Sequence, residues 1–165
     1  VGSEFRQERR LSMLKQPVIS SGCFAFEKPD KLRWETAGSD PFGFFVNGDV
    51  AKQWKGKDGA RQPFDLQRNP VLKLIVDQII AWTTGDFKAI EKQYTITVIR
   101  DNPVLLKLAP KSSGEKKYIR HILVSFEPDT NYAKRVEIME QGGDSTAIEF
   151  YNMKINTNLD KSLFE

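Results

Sequence analysis

The stretch Gly22-Cys23-Phe24-Ala25-Phe26-Glu27-Lys28-Pro29-Asp30-Lys31-Leu32-Arg33-Trp34-Glu35 constrains the fold more than any other part of this chain. It reads as two short strands joined by a turn at Pro29-Asp30. Successive strand side chains point to opposite sides, so Phe24, Phe26, Leu32 and Trp34 share one face. Cys23, Ala25, Lys31, Arg33 and Glu35 share the other. Large apolar groups lined up on one side of a hairpin must be covered, by the protein's own core or by an apolar ligand. Which of the two covers them decides the function.

Turn signals recur along the chain at the short spacing of an antiparallel sheet. Asn47-Gly48 is the strongest, suited to a two-residue turn with positive φ at both positions, and it separates strands over 42–46 and 50–55. Others fall at Asp58-Gly59, Asp101-Asn102-Pro103, Ser113-Gly114, Pro128-Asp129 and Gly142-Gly143. Between them run segments of period two. Tyr94, Ile96 and Val98 share a face, as do Val104, Leu106 and Leu108. Ile122, Val124 and Phe126 follow, then Val136 with Ile138 and Ile148 with Phe150. Residues 4–13 could add a strand.

One segment breaks this rhythm. Residues 69–84 read as a helix, with Asn69 as N-cap, Pro70 at the first helical position and Gly85 at the end. Val71, Leu72, Leu74, Ile75, Val76, Ile79, Ile80 and Trp82 make it apolar over more than half its circumference, wider than a surface helix requires. A further turn at 86–91 would be capped by Asp86. The expectation is a mainly β chain of about ten to eleven antiparallel strands, strongly curved, with a helical insertion at about 69–91 lying in its apolar concavity.

A chain of 165 residues has the length for one domain with a real core. The net charge of +3 is too small, and its acidic residues too interspersed, for a nucleic-acid protein. Arg9-Arg10 and Lys116-Lys117 each lie close to a Glu and read as solvated surface. The 11 Phe residues outnumber the other aromatics, and a side chain without a polar handle packs a core or lines an apolar pocket. The lone Cys23 cannot form an intramolecular disulfide. No run approaches the ~18 to 20 apolar residues that span a bilayer. The start at Val1-Gly2-Ser3, without an initiator Met or signal peptide, reads as removal of upstream residues.

Catalytic chemistry finds little footing. His121 is the single histidine, on a strand between Ile119 and Leu123, with no accompanying Cys or Ser motif. One His and one Cys do not make a metal site. There is no phosphate-cradling glycine loop, and the carboxylates are scattered. The expectation is a binding protein, not an enzyme, with no cofactor and no metal.

An ordered series of segments resembles the LolA-type outer-membrane lipoprotein carrier proteins, in a divergent LolA-related branch. It begins with Phe5-Arg6-Gln7, Leu14-Lys15-Gln16-Pro17 and Ser21-Gly22. It continues through Phe26-Glu27-Lys28-Pro29-Asp30-Lys31-Leu32-Arg33-Trp34-Glu35, Asn47-Gly48-Asp49, Leu106-Lys107-Leu108-Ala109-Pro110 and Thr146-Ala147-Ile148-Glu149-Phe150. Gly85-Asp86-Phe87 followed by Tyr94 marks the divergence. The resemblance implies a half-barrel with a helical lid over an apolar cavity, as a single domain over 1–165. It further implies a periplasmic monomer that takes the acyl chains of a lipoprotein from an inner-membrane export complex to an outer-membrane acceptor. The cavity walls would be Phe24, Phe26, Leu32, Trp34, Phe44, Val46 and Trp54, and the cover Leu72, Ile75, Ile79 and Trp82. The family's basic residue before the proline, a lid latch and usually Arg, aligns with Lys28, whose ammonium is less directional than a guanidinium. A bulky aromatic that the family uses at the export complex aligns with Leu32. A first helix before the Phe-x-Gln strand and a Phe-rich closing tail are expected to lie outside this chain.

Three readings compete. A carrier of lipoprotein acyl chains leads. A lipid-sensing or partner-docking regulatory module on the same fold is the alternative from another class, and a carrier of a glycolipid served by a dedicated exporter is the third. Against all three stands a filled core made by the same side chains.

Overall fold

A computed structural model describes residues 1–84, 87–129 and 132–165. Its strands are β1 (Gly2–Arg10), β2 (Val18–Glu27), β3 (Lys31–Thr36), β4 (Phe42–Asn47), β5 (Val50–Lys55), β6 (Gln62–Pro63), β7 (Tyr94–Asp101), β8 (Val104–Pro110), β9 (Ile119–Phe126), β10 (Ala133–Glu140) and β11 (Ser145–Lys154). Helices α1 (Pro70–Thr84) and α2 (Phe87–Gln93) separate β6 from β7, and the short α3 (Ser113–Lys116) precedes β9. Among the described residues the eleven strands form one open antiparallel sheet in the order β6-β5-β4-β3-β2-β1-β11-β10-β9-β8-β7. It is two meanders joined through the first and last strands. The expected class, mainly β and antiparallel with a helical insertion, is the class observed.

The chain divides into two compact units, one of residues 1–5, 20–80 and 151–165, the other of residues 6–19 and 81–150. In the first, β2 and β3 pair through Phe24↔Trp34 and Phe26↔Leu32, and β3 and β4 through Trp34↔Phe44 and Leu32↔Val46. Directly opposed residues share a face, so two apolar rows cross three strands. Asn69 caps α1 as expected, its Oδ1 accepting from the Leu72 amide at 3.1 Å. Leu74, Ile75, Val76, Gln78 and Ile79 are buried, an arc spanning more than half the helix. Gly85 and Asp86, expected as end and cap of the two helices, lie outside the described residues.

The second unit repeats the pattern with smaller side chains. Leu106, Val124, Val136 and Ile148 oppose one another across β8 to β11, and Leu108, Ile122, Ile138 and Thr146 form the next row. Only Leu106 of these eight is less than fully buried. β7 lies at the edge of the sheet, and Val98 and Ile99 near its end are exposed.

Two local expectations shift. Asn47 pairs with Val50, so Gly48-Asp49 form the tight turn, one residue later than the Asn-Gly pattern suggests. Gly48 takes the positive φ, 58°, while the Asn47 side chain donates to the Phe164 carbonyl at 3.3 Å. An asparagine held by a tertiary hydrogen bond gains more in the ladder than in the turn. Ser113-Gly114 opens α3 instead of forming a loop, because Ser112 caps it through its Oγ and the Glu115 amide at 3.2 Å.

Candidate functional site

One face of β2, β3 and β4 carries Phe24, Phe26, Leu32, Trp34 and Phe44, each 5 % exposed or less. Val46 completes the Leu32 row and is half-buried. The aromatic rings meet in two groups, one around Trp34 and one around Phe44. Trp34 stacks on Phe5 of β1 with centroids 3.8 Å apart and lies 6.2 Å from Phe24. Phe44 lies 5.8 Å from Phe64. The first-strand Phe5, fully buried, belongs to this face, although its surroundings in sequence, Glu4-Phe5-Arg6, give it no alternating apolar partner but Ser3 and Gln7. Its partner row becomes visible only once β1 is laid beside β2.

The expected cover residues divide. Ile75 and Ile79 are buried and Leu72 is half-buried, while the side chain of Trp82 lies outside the described residues. Leu74 and Val76 are more deeply buried than Leu72, which places the centre of the apolar arc nearer the middle of α1.

Trp54 does not join the other wall residues. It pairs with Gly43, so it stands on the opposite face, together with Phe45 and Arg33. The parity of the hairpin already dictates this: whichever of the two neighbouring turns is used, Trp54 opposes an odd-numbered residue of β4, whereas Phe44 and Val46 are even. This second face is covered by the chain's own C-terminal segment. Arg33 is held there from three sides. Its Nη1 donates to the Leu163 carbonyl at 2.8 Å, its Nη2 to Glu35 at 2.7 Å, and its guanidinium lies 4.6 Å from the Trp54 ring centroid. Phe164, in the 3-10 turn Lys161–Phe164, is buried against the same strands.

Lys28 lies in the turn between β2 and β3, exposed, with no hydrogen bond or ion pair among the described residues. It borders a recess of about 490 Å³ shared with Phe26, Glu27, Asn156, Asn158 and Lys161. Phe24 and Arg33 border a smaller one, about 260 Å³, with Cys23, Glu35, Leu159 and Leu163. Burial pushes the Cys23 thiol above its usual range, and the Glu35 carboxylate adds to this. Among the described residues two cations do grip backbone carbonyls in this unit, the Val1 ammonium on Phe26 at 2.7 Å and Arg33 on Leu163, the latter from the face opposite Phe24 and Trp34.

Chemically, the aromatic face offers dispersion contacts and no charge, whereas the opposite face offers an arginine whose two Nη groups are engaged and whose buried Nε has no hydrogen-bond partner among the described residues. The sequence matches the family described as outer membrane lipoprotein carrier protein LolA over residues 1–165. The chain belongs to the LolA family.

Among solved structures, this LolA-family chain is similar to that of the Pseudomonas aeruginosa MucA/MucB complex, with TM-score 0.50 and 8% identity over 99% of this chain and 55% of that one. A LolA superfamily protein from Nitrosomonas europaea aligns at TM-score 0.48 and 7% identity, over 99% of this chain and 89% of the other. A DUF1329 family protein from Desulfovibrio piger aligns at TM-score 0.48 and 12% identity, over 99% and 88%. Identities this low speak to the fold and leave function to the site. No curated protein matches the chain in sequence. The LolA fold is a carrier and binding fold. Among the described residues no helix is long and apolar enough to cross a membrane.

Proposed function

We propose that this LolA-family protein carries the acyl chains of lipoproteins, or of a closely related lipid, through the periplasm from an inner-membrane export complex to an outer-membrane acceptor. The observation that carries this reading is the buried apolar face of Phe5, Phe24, Phe26, Leu32, Trp34 and Phe44, in a chain whose whole length matches LolA. Each acyl methylene contributes about 0.8 kcal/mol to membrane attachment, so a carrier must offer comparable apolar burial. The side chains of this face are packed, so an acyl chain enters only by replacing side-chain contacts with its own. That exchange is nearly neutral per unit area, which makes binding reversible, as hand-over from one membrane to another requires. In this reading α1, with its wide buried arc, is the movable cover.

The test is mass spectrometry of organic extracts of the purified protein, with fluorescence titration by peptides bearing brominated acyl chains. Bound lipid should be recovered, and bromine should quench Trp34 in a background carrying Trp54→Phe and Trp82→Phe, which leaves it the sole tryptophan. It should leave Trp54 unquenched in a background carrying Trp34→Phe and Trp82→Phe, since Trp34 and Trp54 stand on opposite faces. An extract free of lipid together with no quenching at either site would sink the proposal.

A further inference from the structure

Among the described residues the most exposed large apolar side chain is Met13, 85 % exposed, at the tip of the loop between β1 and β2. This loop is an ordered turn. The Leu14 amide donates to the Leu11 carbonyl at 2.9 Å, and the Ser12 amide donates to Asp144 Oδ1 at 2.7 Å. The tip is therefore held outward from below, with Leu14 beside it at 48 % exposure. The same rim of the second unit continues through a chain of hydrogen bonds. Asp144 and Glu140 close the β10–β11 turn, Gln141 donates its amide to the Tyr118 carbonyl at 2.8 Å, and Gln141 Nε2 donates to the Lys116 carbonyl at 3.0 Å. Tyr118 is also exposed, at 54 %.

Charge on this rim is one-sided towards solvent. Arg9, Lys15, Lys116, Lys117 and Arg120 are exposed and make no ion pair among the described residues. The neighbouring carboxylates are occupied or turned inward. Glu8 pairs with Arg10 at 2.6 Å, and Asp144 holds the Ser12 amide. Glu115 Oε2 and Glu140 Oε1 are buried. Burial raises the Glu140 carboxyl above its usual range, with Arg9 opposing in part, while the Ser12 amide and, less, Arg9 hold Asp144 below its own.

We propose that this rim docks on an anionic phospholipid surface, with Met13 and Leu14 entering the headgroup boundary, Tyr118 at its level and the free cations on the lipid phosphates. A methionine at the tip of a fixed turn exposes apolar area that water disfavours and the acyl boundary accepts. A tyrosine suits the interface because its ring is apolar and its hydroxyl polar. Surrounding lysines and arginines distinguish this patch from an ordinary protein contact, whose centre is depleted of charge. The inference is independent of acyl binding, since a chain that failed to take up lipid would still bind vesicles through this rim.

Co-sedimentation of the full chain with vesicles of phosphatidylglycerol and phosphatidylcholine in equal parts, and of phosphatidylcholine alone, tests it. Binding is expected to the first and to fall as salt rises. Lys15→Glu should weaken it at least roughly fivefold, and Lys116→Glu with Lys117→Glu roughly 25-fold or more, from the attraction of each cation to an anionic surface. Met13→Asp should weaken it comparably, and all these positions are exposed, so circular dichroism should show unchanged folding. Lys57→Glu, an exposed change of the same charge in the other unit, should leave binding unaltered. Absence of binding to anionic vesicles overturns the proposal and leaves an acidic protein surface as the partner such a rim would fit. Equal weakening by Lys57→Glu and Lys15→Glu overturns it as well, since only net charge would then matter.

Discussion

Replacing Gly43 by alanine isolates the second face of the sheet from the first. Gly43 of β4 sits directly across from Trp54, whose indole lies over it. A Cβ built at Gly43 would fall inside the contact radius of the indole carbons Cζ2 and Cε2 and lie 2.8 Å from Nε1. The ring is rigid, so it must leave. Trp54 is 8 % exposed and packs 6.5 Å from Phe45 and 4.6 Å from the Arg33 guanidinium, so moving it disturbs a filled cluster. Overpacking a well-filled site costs about 1–3 kcal/mol. Loss of the arginine–indole contact adds about 0.5–1 kcal/mol. The expected total is about 1.5–4 kcal/mol, and for a chain of this size each kcal/mol lowers Tm by roughly 2–4 °C. Urea titration followed by circular dichroism measures it, in wild type and in a Trp54→Ala background. With the indole gone the same substitution should cost less than about 1 kcal/mol, because alanine also restricts the unfolded chain more than glycine. An equal cost in both backgrounds would show that the indole is not what the new methyl meets, and the reasoning would fail.

Three further outcomes are expected. Arg33→Ala should release the C-terminal turn, since it removes the charged donor to the Leu163 carbonyl; tryptic cleavage at Lys161 should quicken about tenfold, as a bond worth ~1.5 kcal/mol implies. Burial, then Lys107 and Arg120, lower the His121 midpoint below its ordinary value near 6.5. The unfolded chain therefore takes up the proton first, so stability is complete above that value and is lost as pH falls through the lower folded midpoint. Urea midpoints measured against pH should show this slope in wild type and a flatter one in His121→Gln. Cys23, its thiol raised by burial and by Glu35, should react with maleimide more slowly at pH 8 than a free cysteine, and Glu35→Gln should speed it. A rate in Glu35→Gln no faster than wild type would remove the carboxylate from that account.

Much of the first unit was visible in the pattern of residues. Phe24, Phe26, Leu32 and Trp34 alternate without interruption, and β2 and β3 pair them as the turn between them requires. Asn69-Pro70 announced the start of α1, because a capping side chain and a missing amide suit that position and little else. Trp54 could have been placed as well. Its parity across the β4–β5 hairpin separates it from Phe44, whatever hydrophobicity the two share. The turn at Gly48-Asp49 was less accessible, since Asn47 is claimed by Phe164, far away in sequence.

Local spacing thus determined where strands and the principal helix form, because side-chain direction repeats every two residues in one and every 3.6 in the other. It also determined that one sheet face would be aromatic and uncharged. Tertiary structure alone decided that β1 lies between β2 and β11, since that pairing joins the two ends of the chain and leaves no periodic trace in either. It alone made Arg33, placed by alternation only on the face opposite Phe24 and Trp34, the clasp of the C-terminal turn. A guanidinium has no preferred partner until folding brings a carbonyl, a carboxylate and an indole within reach at once.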